Sequence, residues 1–304
     1  MSTPLQRDFR VMGCSSFLVV HGGTDEMLEF GEARLRELES LWSRFLETSD
    51  ITRANRAAGT PVVVHEDTLA VVSRALDAWR QTAGSFDITT LPALVEAGYT
   101  HSSIDQAAAP ALHAHRVCMS EWIEVDYETS TLKVPVGSAI DLGGIGKGFA
   151  ADIVAEDLIE AGAAGVVANV GGDLRVIGSP VDDTSWYLGI ENPLDVPNHV
   201  AVMRVHDGGV ATSGTTIKRW TAADGSEAHH LINPRTGKPS TSPILTATVL
   251  AADAATVAAA PDLTIKISGC PNSCGQHHVA AVGLQGGVRK VGGRAVPQYL
   301  LHVG

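Results

Sequence analysis

The chain has 304 residues, 44% of them hydrophobic, a net charge of −12 and a mean hydropathy of +0.10. It is long enough to bury one large core or two smaller ones, which predicts a globular protein. The 22 basic residues are outnumbered by 34 acidic ones, and this argues against a nucleic-acid or anionic-membrane binder, because such proteins need clustered Lys and Arg. Any anionic ligand must therefore be held locally.

The N-terminal segment lacks the apolar core of a signal peptide, and no run of about 18 apolar residues occurs in the chain. We therefore expect no membrane insertion and a cytoplasmic location. The cysteines at 14, 118, 270 and 274 are too few to form a disulfide framework in a chain of this length, and this indicates reduced thiols.

The predicted elements alternate between helices and hairpin-like strands. Residues 9–20 predict a strand, and apolar residues at helical spacing predict helices from Thr24 to about Leu46 and from Asp67 to Thr82. A hairpin at 122–134 precedes a helix over Ala150 to Glu160. Further strands are expected near 166–170, 174–178, 186–190, 200–206, 216–220 and 244–251. This order favours an α+β fold with mixed or antiparallel sheets and packed helices over a doubly wound sheet.

The stretch Asp141-Leu-Gly-Gly-Ile-Gly-Lys-Gly148, followed by Asn169-Val-Gly-Gly-Asp-Leu174, concentrates glycines, one cation and carboxylates around a predicted helix start. Glycines let the backbone approach a ligand, and the N–H groups of a helix start near Phe149 would face an anion. The stretch is neither a P-loop, because Asp141 and Gly148 stand where Gly and Ser or Thr are required, nor a dinucleotide fingerprint, because Phe149 replaces Gly or Ala. It predicts a phosphate and metal site of another kind.

Four more clusters carry chemically useful side chains: Met12-Gly13, Gly84-Ser-Phe-Asp87, Ala211-Thr-Ser-Gly214 and His229-His-Leu-Ile-Asn-Pro-Arg-Thr-Gly-Lys238. Each cluster alone is explained as well by a cap, a loop or a turn. Taken in order with the two glycine motifs, however, they resemble the ApbE family of flavin transferases from about residue 8 to 257. Six motifs appear in the family's order and approximate spacing.

This resemblance implies an FAD:protein FMN transferase that uses Mg²⁺ to move FMN from FAD to a Ser or Thr hydroxyl of an acceptor flavoprotein, with release of AMP. Such chemistry needs a cation near the phosphoryl oxygens and a base for the hydroxyl. By motif match His230 is the base, Lys147 and the 143–148 backbone face the phosphates, and the Gly146 carbonyl is a metal ligand. The residues implied to hold FAD are Met12, Phe86, Asp87, Lys147, Asn169, Gly171, Gly172, Asp173, Thr212 and Ser213.

The chain departs from the family pattern at several positions. Family members usually have Ala at 146, Thr at 14 and Asp at 233, whereas this chain has Gly146, Cys14 and Asn233. The family's last helix also supplies an Asp and a Thr to Mg²⁺, and the matching positions here are Ala258 and Asp262. An alternative function is therefore an FAD-binding protein with weak FAD pyrophosphatase activity or no turnover.

The C-terminal stretch, 261–304, resembles the second half of the cysteine signature in sirohaem nitrite and sulfite reductases, but contains only Cys270-x3-Cys274. Two cysteines cannot build a four-thiolate cluster. A zinc site that also uses His277 or His278 is an alternative to a plain Cys-Pro turn. We predict a transferase-like domain over 1–257 and a reductase-like remnant over 258–304. A sirohaem or iron–sulfur redox protein is the third functional hypothesis.

Overall fold

The computed structural model divides into two compact units, Met1–Ala259 and Ala260–Gly304. In the first unit it describes residues 4–101, 108–111, 113–180, 185–195, 198–222 and 224–255. In the second it describes only the backbone of 265–268, 282–291 and 294–303.

The two longest helices of the first unit, Asp25–Trp42 and Glu66–Gln81, are amphipathic and bury one face. The helices of this unit are α1 Asp25–Trp42, α2 Asp50–Arg56, α3 Glu66–Gln81, α4 Leu91–Glu96 and α5 Gly146–Glu160, with short 3-10 turns at Ile88–Thr90 and Ser120–Trp122. Helix α1 buries Leu28, Leu35 and Leu38 at helical spacing. It ends at Trp42 because Ser43 is extended, so the prediction of a helix to about Leu46 was too long.

Strands of the first unit are short and mostly joined by hairpins. Their bounds are β1 Leu5–Val11, β2 Cys14–His21, β3 Val62–Val63, β4 Glu124–Asp126, β5 Thr131–Lys133, β6 Gly165–Val170, β7 Asp173–Gly178, β8 Trp186–Glu191, β9 His199–Val205, β10 Gly208–Gly214, β11 Arg219–Thr221, β12 Glu227–His229, β13 Ile232–Asn233, β14 Lys238–Pro239 and β15 Thr246–Ala251. The main sheet has the order β1-β2-β6-β7-β10-β15, and every neighbouring pair in it is antiparallel.

The main sheet is covered on both faces. Leu18 of β2 and Val166 of β6 share one core with Leu35 of α1 and Leu158 of α5. On the other face, a smaller core around Val176 includes side chains of β8 and β9. Because residues of a strand alternate between the two faces, both cores are built from the same strands. Antiparallel strands under packed helices match the expected α+β class.

The segment predicted as one strand over 9–20 is a hairpin, so that prediction was wrong. Met12 and Gly13 have φ values of 50° and 74°, and Val11 pairs directly with Cys14. Two central residues with positive φ form the kind of tight turn that matches the twist of two antiparallel strands. The turn places Met12 at one end of the main sheet.

Two further boundaries differ from the predicted ones. Helix α5 begins at Gly146 rather than at Ala150, so Lys147 belongs to its first turn and not to a preceding loop. The strand expected near 216–220 is interrupted, because β10 ends at Gly214 and β11 begins at Arg219. The intervening residues 215–218 connect the main sheet to the small β11–β12 hairpin.

The second unit contains a sheet of β16 Ile265–Ser268, β17 Val282–Val291 and β18 Arg294–Val303. Strand β16 is parallel to β17, and β17 is antiparallel to β18. Several residues singled out above lie outside the described residues: Ala258, Asp262, Cys270, Cys274, His277 and His278. The likeness of this segment to a reductase and the domain assignment stay predictions.

Across the described parts of the chain, every helix is too short or too polar to cross a lipid bilayer.

Candidate functional site

The glycine-rich loop before α5 is fixed at its first residue, Asp141. One carboxylate oxygen accepts the N–H of Gly143 at 2.5 Å, and the other lies 2.8 Å from Nε of the buried Arg44. The backbone N–H of Asp141 donates to the carbonyl of Ile88 at 2.9 Å. These contacts hold the loop against the segment that carries Phe86 and Asp87.

The N-terminus of α5 has no side-chain cap. The cap residue, Ile145, provides no side-chain hydrogen bond to the first turn. The first N–H groups of a helix have no partner within the helix, and together they carry a partial positive charge. Such an end binds phosphate groups well. Gly146 and Lys147 are the first two helical residues, so the predicted phosphate-binding residues do stand at a helix start.

Lys147 reaches from α5 to the sheet, where its Nζ donates to Oδ2 of Asp173, the first residue of β7. Burial opposes the charge of Lys147, but the attraction and the hydrogen bond of Asp173 outweigh it, and the pKa of the ammonium is raised. Lys147 is therefore a stable cation. The ion pair joins two of the residues that the resemblance assigns to FAD.

The turn between β6 and β7 depends on its glycines. Gly171 has a φ of 63°, and a Cβ added there would lie 2.4 Å from Sγ of Cys14 and 3.5 Å from Cδ of Lys147. A side chain at 171 would thus collide with the thiol. Gly172 has a φ of 94° and donates its N–H to Oδ1 of Asn169 at 3.2 Å. The predicted residues at 169–173 form one compact turn beside Lys147.

Asp87 is a buried carboxylate with one satisfied oxygen. Its Oδ1 accepts the N–H of Thr89 at 2.7 Å, the Thr89 hydroxyl at 2.5 Å and the Ser120 hydroxyl at 2.9 Å. Its Oδ2 is buried and has no hydrogen-bond partner among the described residues. The adjacent Phe86 places its ring 3.0 Å from where a Cβ on Gly144 would stand. This motif therefore contacts the glycine-rich loop and retains one free acceptor.

His230 directly follows β12 and is uncharged at neutral pH. Burial, followed by the charges of Lys218 and Lys147, lowers its pKa from 6.5 to about 4. Its Nδ1 is buried without a hydrogen-bond partner in the described part of the chain. A neutral imidazole with an unused nitrogen can accept a proton. The geometry therefore brings the predicted base into the electrostatic neighbourhood of Lys147.

Thr212 and Ser213 lie farther along β10. The Thr212 hydroxyl is 2.8 Å from the hydroxyl of Thr248 on β15, and Ser213 pairs with Ala247 in the same ladder. Their hydroxyls are therefore placed by the β10–β15 pairing and not by the Lys147–Asp173 ion pair. Their assignment to FAD stays a prediction.

An aromatic stack, which we call the Arg44 stack, joins the glycine-rich loop to β11. The Arg44 guanidinium lies 4.9 Å from the centre of the Tyr99 ring. Tyr99 stacks on Trp220 at 5.3 Å between ring centres, with 17° between the ring planes. Since Arg44 also contacts Asp141, the stack connects the glycine-rich loop to the hairpin that precedes His230.

Sequence reasoning missed three residues of this region: Arg44, Asp152 and Lys218. Asp152 follows Gly148 by four positions, so the helical period places the two on one face, and this signal was available. Lys218 belongs to no recognised motif. Its proximity to His230 follows from the pairing of β11 with β12, which the sequence did not predict.

Asp152 caps the chain segment that follows β15. Its two carboxylate oxygens accept the N–H groups of Ala254 and Ala255, each at 2.8 Å. Burial raises the pKa of Asp152 to about 6, although the two N–H bonds act in the opposite direction. The segment also packs on Gly148, where an added Cβ would lie 2.4 Å from the Ala254 carbonyl oxygen. Asp152 and Gly148 therefore hold the segment after β15 against α5.

We expect Asp152→Ala to lower the free energy of unfolding by about 2–4 kcal/mol at pH 7, because two buried N–H groups lose their acceptor. The pKa of Asp152 in the folded state is about 6, which is above its value in the unfolded chain. The folded state therefore binds the proton more tightly, and the contribution of Asp152 to the free energy of unfolding increases as the pH falls. Urea denaturation should therefore show that the difference in the free energy of unfolding between wild type and Asp152→Ala increases from about pH 6 to about pH 4.

The matched control is Asp157→Ala on the same helix, because Asp157 forms only a long 3.6 Å contact with Arg34. Its expected effect is below about 1 kcal/mol. The capping role of Asp152 would be contradicted if the two substitutions lowered the free energy of unfolding equally. It would also be contradicted if the difference between wild type and Asp152→Ala became smaller as the pH falls.

A metal site is not complete within the described residues. They contain no group of three or more His, Cys, Asp or Glu side chains placed to hold an ion. The Gly146 carbonyl lies at the first position of α5 and one carbonyl does not make a site. The other two implied positions, Ala258 and Asp262, lie outside the described residues. The Mg²⁺ prediction therefore rests on the resemblance alone.

A family model described as the ApbE family matches residues 12–268. The FAD:protein FMN transferase of Haemophilus influenzae is 27% identical over 233 residues, which cover 72% of this chain and 66% of that protein. The FAD:protein FMN transferase of Vibrio cholerae is 28% identical over 221 residues, 71% of this chain and 66% of that protein. The chain thus spans just under two thirds of the length of these relatives.

Two solved structures have the same fold. The ApbE protein of Thermotoga maritima superposes with a TM-score of 0.74 at 24% identity, over 84% of each chain. The flavinyl transferase ApbE of Pseudomonas stutzeri, in its apo form, gives a TM-score of 0.70 at 20% identity, over 84% of this chain and 82% of that one. The α+β fold prediction is confirmed.

Proposed function

Because the chain belongs to the ApbE family, we propose that it is an FAD:protein FMN transferase. The acceptor is a Ser or Thr hydroxyl of a flavoprotein, and AMP is the second product. The observation that supports this most directly is the N-terminus of α5, which lacks a side-chain cap, carries Lys147 and lies in the electrostatic neighbourhood of the neutral His230. A phosphate-binding helix start and a proton acceptor are the two parts that phosphoryl transfer to a hydroxyl requires.

The proposed reaction exchanges one P–O bond for another. The acceptor hydroxyl attacks the FMN phosphorus of FAD, its proton passes to His230, and the bond from that phosphorus to the bridging oxygen breaks. AMP leaves with the electron pair of that bond. The N–H groups at the start of α5 and the charge of Lys147 stabilise the negative charge on the phosphoryl oxygens.

The remaining site residues would hold the rest of FAD. The unpartnered Oδ2 of Asp87 fits an N–H or hydroxyl donor of the flavin, because a buried acceptor without a partner is costly. Phe86 would contact an aromatic ring. We assign Met12, Asn169, Gly171, Gly172, Asp173, Thr212 and Ser213 to the same ligand on the basis of the family motifs.

The pH dependence of the reaction should reflect a base that stays neutral far below pH 7. Since the pKa of His230 is lowered to about 4, kcat/KM for FAD, which reports the free enzyme, should be constant from about pH 8 to about pH 5 and then fall. A fall in kcat/KM centred near the usual histidine pKa of about 6.5 would contradict the lowered pKa of His230. The measurement is the initial rate of FMN transfer in buffers of constant ionic strength.

The deciding experiment incubates the purified full chain with FAD, Mg²⁺ and an acceptor flavoprotein. Transfer gives a fluorescent acceptor band on a denaturing gel and an equal amount of AMP. A parallel reaction with EDTA tests the proposed Mg²⁺ requirement. Bound FAD without AMP would support the alternative of a flavin-binding protein without turnover, which the residues Ala258 and Asp262 favour. A brown protein with sirohaem absorption bands would support the redox hypothesis.

A further inference from the structure

Lys218 lies beside His230 without belonging to any motif considered so far. It is the last residue of the segment between β10 and β11, and β11 pairs with β12 so that Arg219 faces His229. Lys218 and His230 are therefore the next residues along the two paired strands. The His230 ring also forms a hydrogen bond with the backbone of Lys218.

The charges around Lys218 leave one positive charge uncompensated. Lys147 is paired with Asp173, and Asp141 is paired with Arg44. Burial raises the pKa of the Cys14 thiol, which keeps this group neutral near pH 7.

In the part of the chain that the structure describes, no carboxylate lies within ion-pair distance of the Lys218 ammonium. Burial and the charge of Lys147 both lower the pKa of Lys218. A half-buried cation next to a second cation is unfavourable in the free protein. A ligand that brings negative charge removes this cost, so the arrangement selects for an anion.

We propose that Lys218 is a second cation that binds the pyrophosphate of FAD, beside Lys147, whose charge is already compensated in part by Asp173. The assignment rests on the proposed function for the identity of the anion. Lys218 then binds the phosphoryl oxygens from the side of His230. The two phosphate-facing groups come from separate parts of the fold, one from a helix start and one from a hairpin.

The test compares Lys218→Met and Lys218→Arg with wild type in binding to three probes: FAD, riboflavin and inorganic pyrophosphate. Calorimetry should show that Lys218→Met binds FAD and pyrophosphate about ten- to a hundredfold more weakly, because a charge-assisted contact is lost. Riboflavin has no phosphate, and its affinity should change less than about twofold. Lys218→Arg keeps the charge and should recover most of the binding.

The control variant is Lys133→Met, which removes the same charge from an ion pair with the exposed Glu124 and should leave all three affinities unchanged. Lys218→Met should also raise the melting temperature of the free protein, because an uncompensated charge is replaced by an apolar side chain of similar length. A purely structural lysine would give the opposite shift.

The outcomes separate this assignment from the proposed function. If wild type transfers no FMN but Lys218→Met still weakens pyrophosphate binding, Lys218 is an anion-binding residue and the transferase proposal is wrong. Equal losses for FAD and riboflavin would show that Lys218 does not bind phosphate. If the wild-type protein binds neither FAD nor pyrophosphate, the Lys218 assignment and the proposed function are both wrong.

Discussion

Replacing His230 with alanine is expected to slow FMN transfer by about a hundred- to ten-thousandfold, while the affinity for FAD changes less than about threefold. In the proposed reaction the neutral ring supplies the proton acceptor, and its removal leaves the groups on α5 that are assigned to the phosphates in place. Fluorescence titration gives the FAD affinity, and the rate of acceptor labelling gives the transfer. A variant that retains near-wild-type turnover would remove His230 from the base role.

The control for this variant is His199→Ala, because His199 is an exposed imidazole on β9 and has no place in the proposed reaction. It should transfer FMN at the wild-type rate. Comparable losses in the two variants would indicate a general effect of histidine removal on the protein. Thermal unfolding of both variants shows whether the fold is retained.

Gly148→Ala is expected to destabilise the first unit by about 2–4 kcal/mol, because the new methyl group meets backbone atoms and not a mobile side chain. The added Cβ would lie 2.4 Å from the Ala254 carbonyl oxygen and 2.8 Å from the carbonyl carbon. Either α5 or the 254–255 segment must move. The measurement is the midpoint of urea unfolding, followed by circular dichroism.

Gly146→Ala is a matched control two residues earlier in the same helix. A Cβ there would lie 3.3 Å from Cβ of Leu142 and 3.6 Å from the Trp42 ring, so small shifts can accommodate it. Alanine also favours a helix over glycine by about 1 kcal/mol. We expect Gly146→Ala to be neutral or slightly stabilising. If both variants lose the same stability, the contact with Ala254 is not the cause.

Gly146 and Gly148 show what could be predicted from the sequence of this region and what could not. The motif at 141–148 predicted a helix start, and the structure has one; that it faces an anion stays a prediction. Gly148 has a further role that the motif did not indicate, since it is required for close packing on Ala254. The start of α5 was placed too late because glycine has a low helix propensity, which tertiary packing overrides here.

Other features could not be predicted because they depend on contacts distant in sequence. Met12-Gly13 lacks the Asn-Gly or Asp-Gly pattern typical of a two-residue turn, so the first hairpin was taken for one strand. Lys218 carries no signal in its neighbouring residues. Its importance depends on which carboxylates are already paired, and only the assembled structure determines that.

The Arg44 stack has a consequence for the alignment of the reacting atoms. A proton acceptor on a hairpin and a phosphorus bound at a helix start belong to separate elements, and their relative position tolerates little error, since a shift of about 1 Å can cost on the order of a hundredfold in rate. The stacked rings of Tyr99 and Trp220 and the Arg44–Asp141 contact link the two elements through rigid planar groups. In the proposed reaction, the angle of attack on phosphorus would therefore be governed partly by Arg44, Tyr99 and Trp220, which are not among the residues assigned to FAD.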